Sequence, residues 1–234
     1  MHQFDPRAIR PESHGKYPSW KYVAPLPSAE LMGTVGAADI ENFLVVGDAW
    51  SQVVTRLVSS TARVLDVGCG CGRIARFLLN ARQLRYVGLD IMEPSVAWCR
   101  EHLAPLAGGR FEFHHVDAHS EHYNPRGRLR AGEVTFPCSD GSVDLAFGAS
   151  LFTHLLERDA RHYLRETNRV LRAGGAALYS ILPPAQAEAT LRGGEDRVEV
   201  SRDYFEGMAA GAGLVIEERL GELCGQETIL LRKP

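Results

Sequence analysis

The sequence predicts an α/β fold in which a mostly parallel sheet carries its ligand at the carboxyl ends of the strands. Two observations lead there. First, Val64, Leu65 and Val67 form a short apolar run of buried-strand type, Gly68, Gly70 and Gly72 follow at alternate positions, and Ile74, Phe77, Leu78 and Ala81 then recur at helical spacing. Second, the pattern repeats: 85–90 reads as a strand ending in an acid, and Val96, Cys99 and Leu103 give the next helix its inner face. Glycine is required where the backbone takes positive φ or must approach a ligand closely. The helix start behind such a turn offers free N–H groups and a positive dipole end. Together they suit a nucleotide-like ligand at the end of a parallel sheet.

Composition sets the outer bounds. The 234 residues suffice for one domain with a proper core and leave room for an appendage. A net charge of −3 gives no global electrostatic reason to expect nucleic acid. No apolar run approaches the length of a membrane span, and the N-terminus lacks a signal-peptide layout. Cys69, Cys71, Cys99, Cys138 and Cys224 are odd in number and scattered, which predicts reduced thiols in a cytoplasmic protein.

The glycine turn narrows the ligand. No Gly-Lys-Ser/Thr follows, which disfavours ATP or GTP, and the glycine spacing is not the dinucleotide G-x-G-x-x-G. Asp66 precedes the first glycine, where a carboxylate would repel a pyrophosphate but could hold an ammonium group. Asp66 to Gly72 reads D-V-G-C-G-C-G, which resembles motif I (D/E-x-G-x-G-x-G) of the class I S-adenosylmethionine (SAM) dependent methyltransferases, small-molecule branch (type 11/12-like). The resemblance extends over about residues 60–234. It implies a Rossmann-like seven-stranded sheet, mostly parallel with an antiparallel last strand and helices on both faces. It also implies SAM as cofactor, held by Asp66, Gly68, Cys69, Gly70, Gly72 and Arg73.

Along the chain, residues 1–37 are broken by Pro6, Pro11, Pro18, Pro25 and Pro27, yet carry Tyr17, Trp20 and Tyr22. They read either as an arm draped over the domain or as a lid over the acceptor pocket. Residues 1–59 are taken as this arm and a first helix, and 60–234 as the methyltransferase domain. Asp39 is placed to cap a helix to about Ser59, with Ile40, Phe43, Leu44, Gly47, Val54, Leu57 and Val58 inward. The glycine turn leads into a helix to about Ala81. Asp90 closes the second strand where nucleotide-binding folds hold ribose hydroxyls, and the family places its ribose carboxylate there, with Ile91 beside it. Pro94 suits the first turn of the following helix.

Residues 110–117 read as a third strand. In the family an acid at its end bonds the adenine amino group, which here implies Asp117 with Ala118. His114, His115, His119 and His122 raise the question of a metal, but adjacent strand residues face opposite ways, so no metal site is expected. Residues 136–147 resemble the family's run into its fourth strand, with Cys138 replacing its first acid. The loop after it, Gly148 to Leu155, faces cofactor and acceptor in the family, which implies Ala149 beside the cofactor. It makes His154 the leading general-base candidate, with Tyr123 and His119 behind it; His154 could equally only pack or cap the next helix.

Asp159 to Leu171 is an amphipathic helix with Ala160, Tyr163, Leu164, Thr167, Val170 and Leu171 inward, stopped by Gly174 and Gly175. A fifth strand runs from Ala176 to Leu182, and 183 to about 200 reads as a charged loop, a second possible lid. Ser201 caps a short helix, and two final strands complete the sheet. The expected activity is methyl transfer from SAM to a hydroxyl or amine of a small molecule, a sugar or secondary metabolite favoured, by a monomer or homodimer. The alternative is a SAM-binding protein without transferase activity.

Overall fold

Strands form here where apolar residues supply two covered faces. In β1 (Arg63–Val67), Leu65 and Val67 join one apolar core and Val64 the other. In β4 (Val143–Gly148), Ala146 faces the first core, and Leu145 and Phe147 the second. In β5 (Leu171–Ile181), Ala177, Tyr179 and Ile181 alternate with Ala176 and Leu178 in the same way. Successive strand side chains point to opposite faces, so both faces of the sheet need cover. Helices α2 (Ile40–Leu57), α3 (Ala75–Leu78) and α4 (Glu93–His102) supply it on one side, through Trp50, Val54, Leu78, Val96 and Cys99. Helices α5 (Glu157–Val170) and α6 (Arg202–Gly211) supply it on the other, through Tyr163, Leu164, Phe205 and Met208. Each fully buried Leu, Val or Phe contributes about 1.5–3 kcal/mol.

This computed structural model describes residues 24–185 and 190–234. The strand order is β3 (Phe111–His115), β2 (Arg85–Asp90), β1, β4, β5, β9 (Gln226–Arg232), β8 (Val215–Leu223). Neighbours from β3 to β5 pair parallel, and β9 is antiparallel to both β5 and β8. The sheet is therefore the expected one: seven strands, mostly parallel, with an antiparallel last strand. After β1 the chain moves to one side, to β2 and β3, then returns to the other at β4. That reversal opens a crevice at the carboxyl ends of β1 and β4, the topological switch point where such sheets bind ligands.

Local chemistry accounts for the helix ends. Asp39 Oδ1 accepts the Asn42 N–H at 2.7 Å and caps α2. Gly47 lets α2 lie against the turn after β1, because a Cβ there would run into the Arg73 carbonyl and the Phe77 ring. The short helix α1 (Ala29–Thr34) begins at Ser28, whose hydroxyl accepts from the Leu31 N–H.

Several expected boundaries move. The helix after the glycine turn shrinks to the four residues of α3, because Gly70 and Gly72 take φ of 51° and 76° and the chain winds through turns first. Ile40 lies 48% exposed, while Trp50 and Val53, not expected inward, are buried; the apolar stripe of α2 is rotated from its expected course. β3 stops at His115, so Asp117 lies beyond it. β5 starts at Leu171 and carries Gly174 and Gly175 within it, next to an irregular pairing with β4. Residues 183–200, expected as loop, contain a two-stranded hairpin of β6 (Leu191–Gly194) and β7 (Arg197–Val200). Val198 and Val200, at alternate positions, bury that hairpin against the body. Ser201 precedes α6 as expected, but its hydroxyl accepts from the Thr190 N–H instead of capping the helix. Of the expected arm, residues 1–23, including Tyr17, Trp20 and Tyr22, lie outside the described residues.

Candidate active site

A cavity of about 670 Å³ opens at the switch point, in the size range of small-molecule sites. One end is built from the turn after β1. Gly68 and Gly70 take φ of 80° and 51°, and their missing side chains leave backbone along the cavity wall. Cβ atoms at Gly70 and Gly72 would strike Val35 and Leu103, so the turn is also packed tightly from behind. Asp90 organises this turn: Oδ2 accepts the Gly70 N–H at 2.7 Å and Oδ1 the Met92 N–H at 2.8 Å. A carboxylate offers about four lone-pair sites, so acceptor capacity remains for a ligand hydroxyl. Burial raises the Asp90 pKa.

Asp66 is more perturbed. It is buried, faces the cavity, and accepts the Tyr86 O–H at 2.7 Å. Burial outweighs that hydrogen bond and pushes its pKa up to about 7, with the Asp90 charge acting the same way. Arg73 also lines the cavity, and burial lowers its pKa. An ammonium beside Asp66 and a carboxylate beside Arg73 would each be neutralised here. An α-amino acid group presents both charges. The donor set thus fits the amino-acid end of SAM, with Asp90 for the ribose and Ile91 and Ala118 along the same wall.

The other end is built from side chains far apart in sequence. His154 and Tyr123 meet there, with Tyr123 Oη 3.1 Å from His154 Nε2. His154 Nδ1 lies 2.8 Å from the carbonyl oxygen of Glu195, in the β6–β7 turn. A carbonyl can only accept, so Nδ1 carries the proton, and Nε2 presents a lone pair to the Tyr123 hydroxyl. Burial lowers the His154 pKa, keeping the ring neutral, and raises that of Tyr123 to about 12, keeping the phenol protonated. The His122 ring stacks parallel to His154 at 6.1 Å. The Glu195 carboxylate accepts the Ser120 hydroxyl at 2.5 Å and the His122 N–H at 3.4 Å.

Ser150, just after β4, also lines the cavity. Its φ is 60°, an uncommon value for a residue with a Cβ. A closed ring fixes it: the Ser150 N–H donates to Ser180 Oγ at 2.8 Å, Ser180 Oγ to Gln226 Oε1 at 2.7 Å, and Gln226 Nε2 to Ser150 Oγ at 2.7 Å. Such strain persists only where the surroundings over-determine it.

Of the residues read from sequence, Asp66, Gly68, Cys69, Gly70, Arg73, Asp90, Ile91, Ala118, His119, Tyr123, Ala149 and His154 all line the cavity. Gly72 supports it from behind. Asp117 is the exception. Its carboxylate pairs with Arg128 Nε at 2.5 Å, and it does not line the cavity as its neighbour Ala118 does. The Arg128 guanidinium beside it holds its pKa below the usual carboxylate range. Sequence reasoning missed Glu195, Gln226 and Ser150. For Glu195 a signal existed in Gly193-Gly194-Glu195-Asp196, a turn composition between alternating segments; Gln226 carried none.

Residues 64–175 match a family model described as a methyltransferase domain. An uncharacterized methyltransferase of Mycobacterium sp. (strain JLS) is 30% identical over 145 residues, 62% of this chain and 48% of that protein. The chain thus spans about half the length of the curated relatives it matches. Among solved structures, a SAM-dependent methyltransferase from Aquifex aeolicus superposes with a TM-score of 0.61 at 18% identity, covering 99% of this chain and 100% of that one. A Burkholderia thailandensis 1,6-didemethyltoxoflavin-N1-methyltransferase, holding that compound and S-adenosylhomocysteine, gives 0.58 at 20% identity, covering 90% and 92%. At these identities the structural likeness shows the fold.

Proposed function

We propose that the chain is a class I SAM-dependent methyltransferase that transfers the SAM methyl group to a hydroxyl or amine of a small molecule, a hydroxyl being favoured. The observation that carries this reading is the His154 ring in the cavity wall, with Nδ1 2.8 Å from the Glu195 carbonyl and Nε2 3.1 Å from the Tyr123 hydroxyl. Bound SAM supplies a methyl carbon already electrophilic on its sulfonium. The protein's part is then alignment and proton removal. Asp66 takes the amino group, Arg73 the carboxylate and Asp90 the ribose hydroxyls. A hydroxyl acceptor reaches His154 Nε2 by taking the place of Tyr123, gives up its proton there, and is left as the nucleophile. The Glu195 carbonyl stabilises the imidazolium through Nδ1–H. The small-molecule acceptor reported for the Burkholderia enzyme supports the substrate class. A sugar or secondary metabolite remains our preferred acceptor, and no nucleic-acid partner is proposed.

A cytoplasmic location is our reading, which the unpaired cysteines support, and we propose a monomer or homodimer. Among the described residues no helix is long and apolar enough to cross a membrane. The test is transfer of labelled methyl from SAM to a panel of sugars, phenols, other alcohols and amines. Transfer to hydroxyl acceptors is expected. S-adenosylhomocysteine binding without transfer to any member would favour the alternative, a SAM-binding protein.

A further inference from the structure

We propose that Glu195, at the tip of the β6–β7 hairpin, is the positioning residue that sets the tautomer of His154. The inference rests on the reading of His154 as the base and adds how that base is held ready.

An imidazole free in a cavity exchanges its proton between two nitrogens, and only one tautomer leaves Nε2 free to accept. Here the choice is made by the Glu195 carbonyl, 2.8 Å from Nδ1. That carbonyl belongs to a turn outside the main sheet, so something must hold it still. The Glu195 carboxylate does so by gripping the Ser120 hydroxyl and the His122 N–H, in the loop that also carries Tyr123. A second tie, from the Val198 N–H to the Thr153 carbonyl at 2.7 Å, joins the hairpin to the residue before His154. The Glu195 side chain thus ties the hairpin to the loop that carries Tyr123, and the hairpin's backbone meets the loop that carries His154. The carbonyl of the same residue fixes the proton.

The test compares Glu195→Ala and Glu195→Gln with the wild type by ¹H–¹⁵N correlation of the His154 ring at neutral pH, alongside kcat and S-adenosylhomocysteine affinity. Glutamine keeps an oxygen for Ser120; alanine does not. The wild type should show a single Nδ1–H tautomer. Glu195→Ala should show a mixture and lose about tenfold in kcat, less than the loss of the base itself, with affinity unchanged. Glu195→Gln should restore both readings. A single unchanged tautomer in Glu195→Ala would overturn the proposal, as would a kcat loss matched by an equal loss of affinity. The ring signal needs no acceptor, so the two readings can fail separately. If the tautomer shifts as expected while His154→Ala transfers methyl at full rate, the positioning stands and the base assignment falls.

Discussion

The two ends of the cavity are made in different ways. The cofactor end is largely backbone, set by glycines and by two acids at strand ends, and its defining hydrogen bonds join residues 20 positions apart. The acceptor end is largely side chains, and its contacts join residues 31, 41, 75 and 76 positions apart. The first is fixed as soon as β1 and β2 pair. The second exists only once the β3–β4 loop, the post-β4 loop, the hairpin and β9 have all come together. A cofactor site of this kind can therefore stay constant while the acceptor end is rebuilt by loop changes.

The sharpest break between the ends is expected from His154→Ala. Loss of a general base costs about 10²–10⁴ in rate, so kcat should fall by that order in the labelled-methyl assay. Turnover near the wild-type level would remove His154 from the chemistry.

The next effect belongs to the cofactor end and depends on pH. With Asp66 at about 7 in the free protein, an arriving ammonium must drive off a proton below that pH. S-adenosylhomocysteine affinity should fall by up to about tenfold per pH unit below 7, and calorimetry in buffers of different ionisation heat should show proton release. Tyr86→Phe removes a hydrogen bond that favours the ionised form, so it should move the midpoint upward. Asp66→Asn should flatten the dependence; a flat wild-type profile would contradict the assignment. The effect on folding has the opposite sign. The folded state binds a proton that the unfolded state, with Asp66 near 3.8, releases. The stability from the protonated form is complete below 3.8 and is lost as pH rises through about 7.

Smaller effects test the scaffold. Gly47→Ala forces a methyl group against the Arg73 carbonyl and should cost about 1–3 kcal/mol, the usual range for overpacking. Thermal denaturation should show a drop of several degrees. The least effect is expected at Asp117. Its carboxylate pairs with the exposed Arg128 and it does not line the cavity, so Asp117→Asn should leave S-adenosylhomocysteine affinity nearly unchanged. A large loss in calorimetry would restore it as an adenine ligand.

The same contrast explains what could be read from the chain. Asp39 capped its helix and Asp90 closed its strand where expected, because caps, strand ends and glycine turns are decided within a few residues. Asp117 reads as the end of β3, which stops at His115 instead, and nothing local shows that Arg128 would pair with its carboxylate. His154 was readable from its place after β4. Its tautomer was not, since that depends on a carbonyl 41 positions away. The hairpin at 191–200 was read as loop because its strands are only four residues each, with two glycines in the first. Gln226 shows no local pattern; its role appears only when β9 lies beside β5 and brings it to Ser180.

The division of the cavity is tested most directly by titrating S-adenosylhomocysteine into four variants at one pH above 7. Asp66→Asn and Asp90→Ala should weaken binding by about tenfold or more, since a hydrogen bond to a charged group is worth about 1.5–3 kcal/mol. Tyr123→Phe and His154→Ala should bind as the wild type does. Equal weakening across all four, or full affinity in the two aspartate variants, would contradict the account.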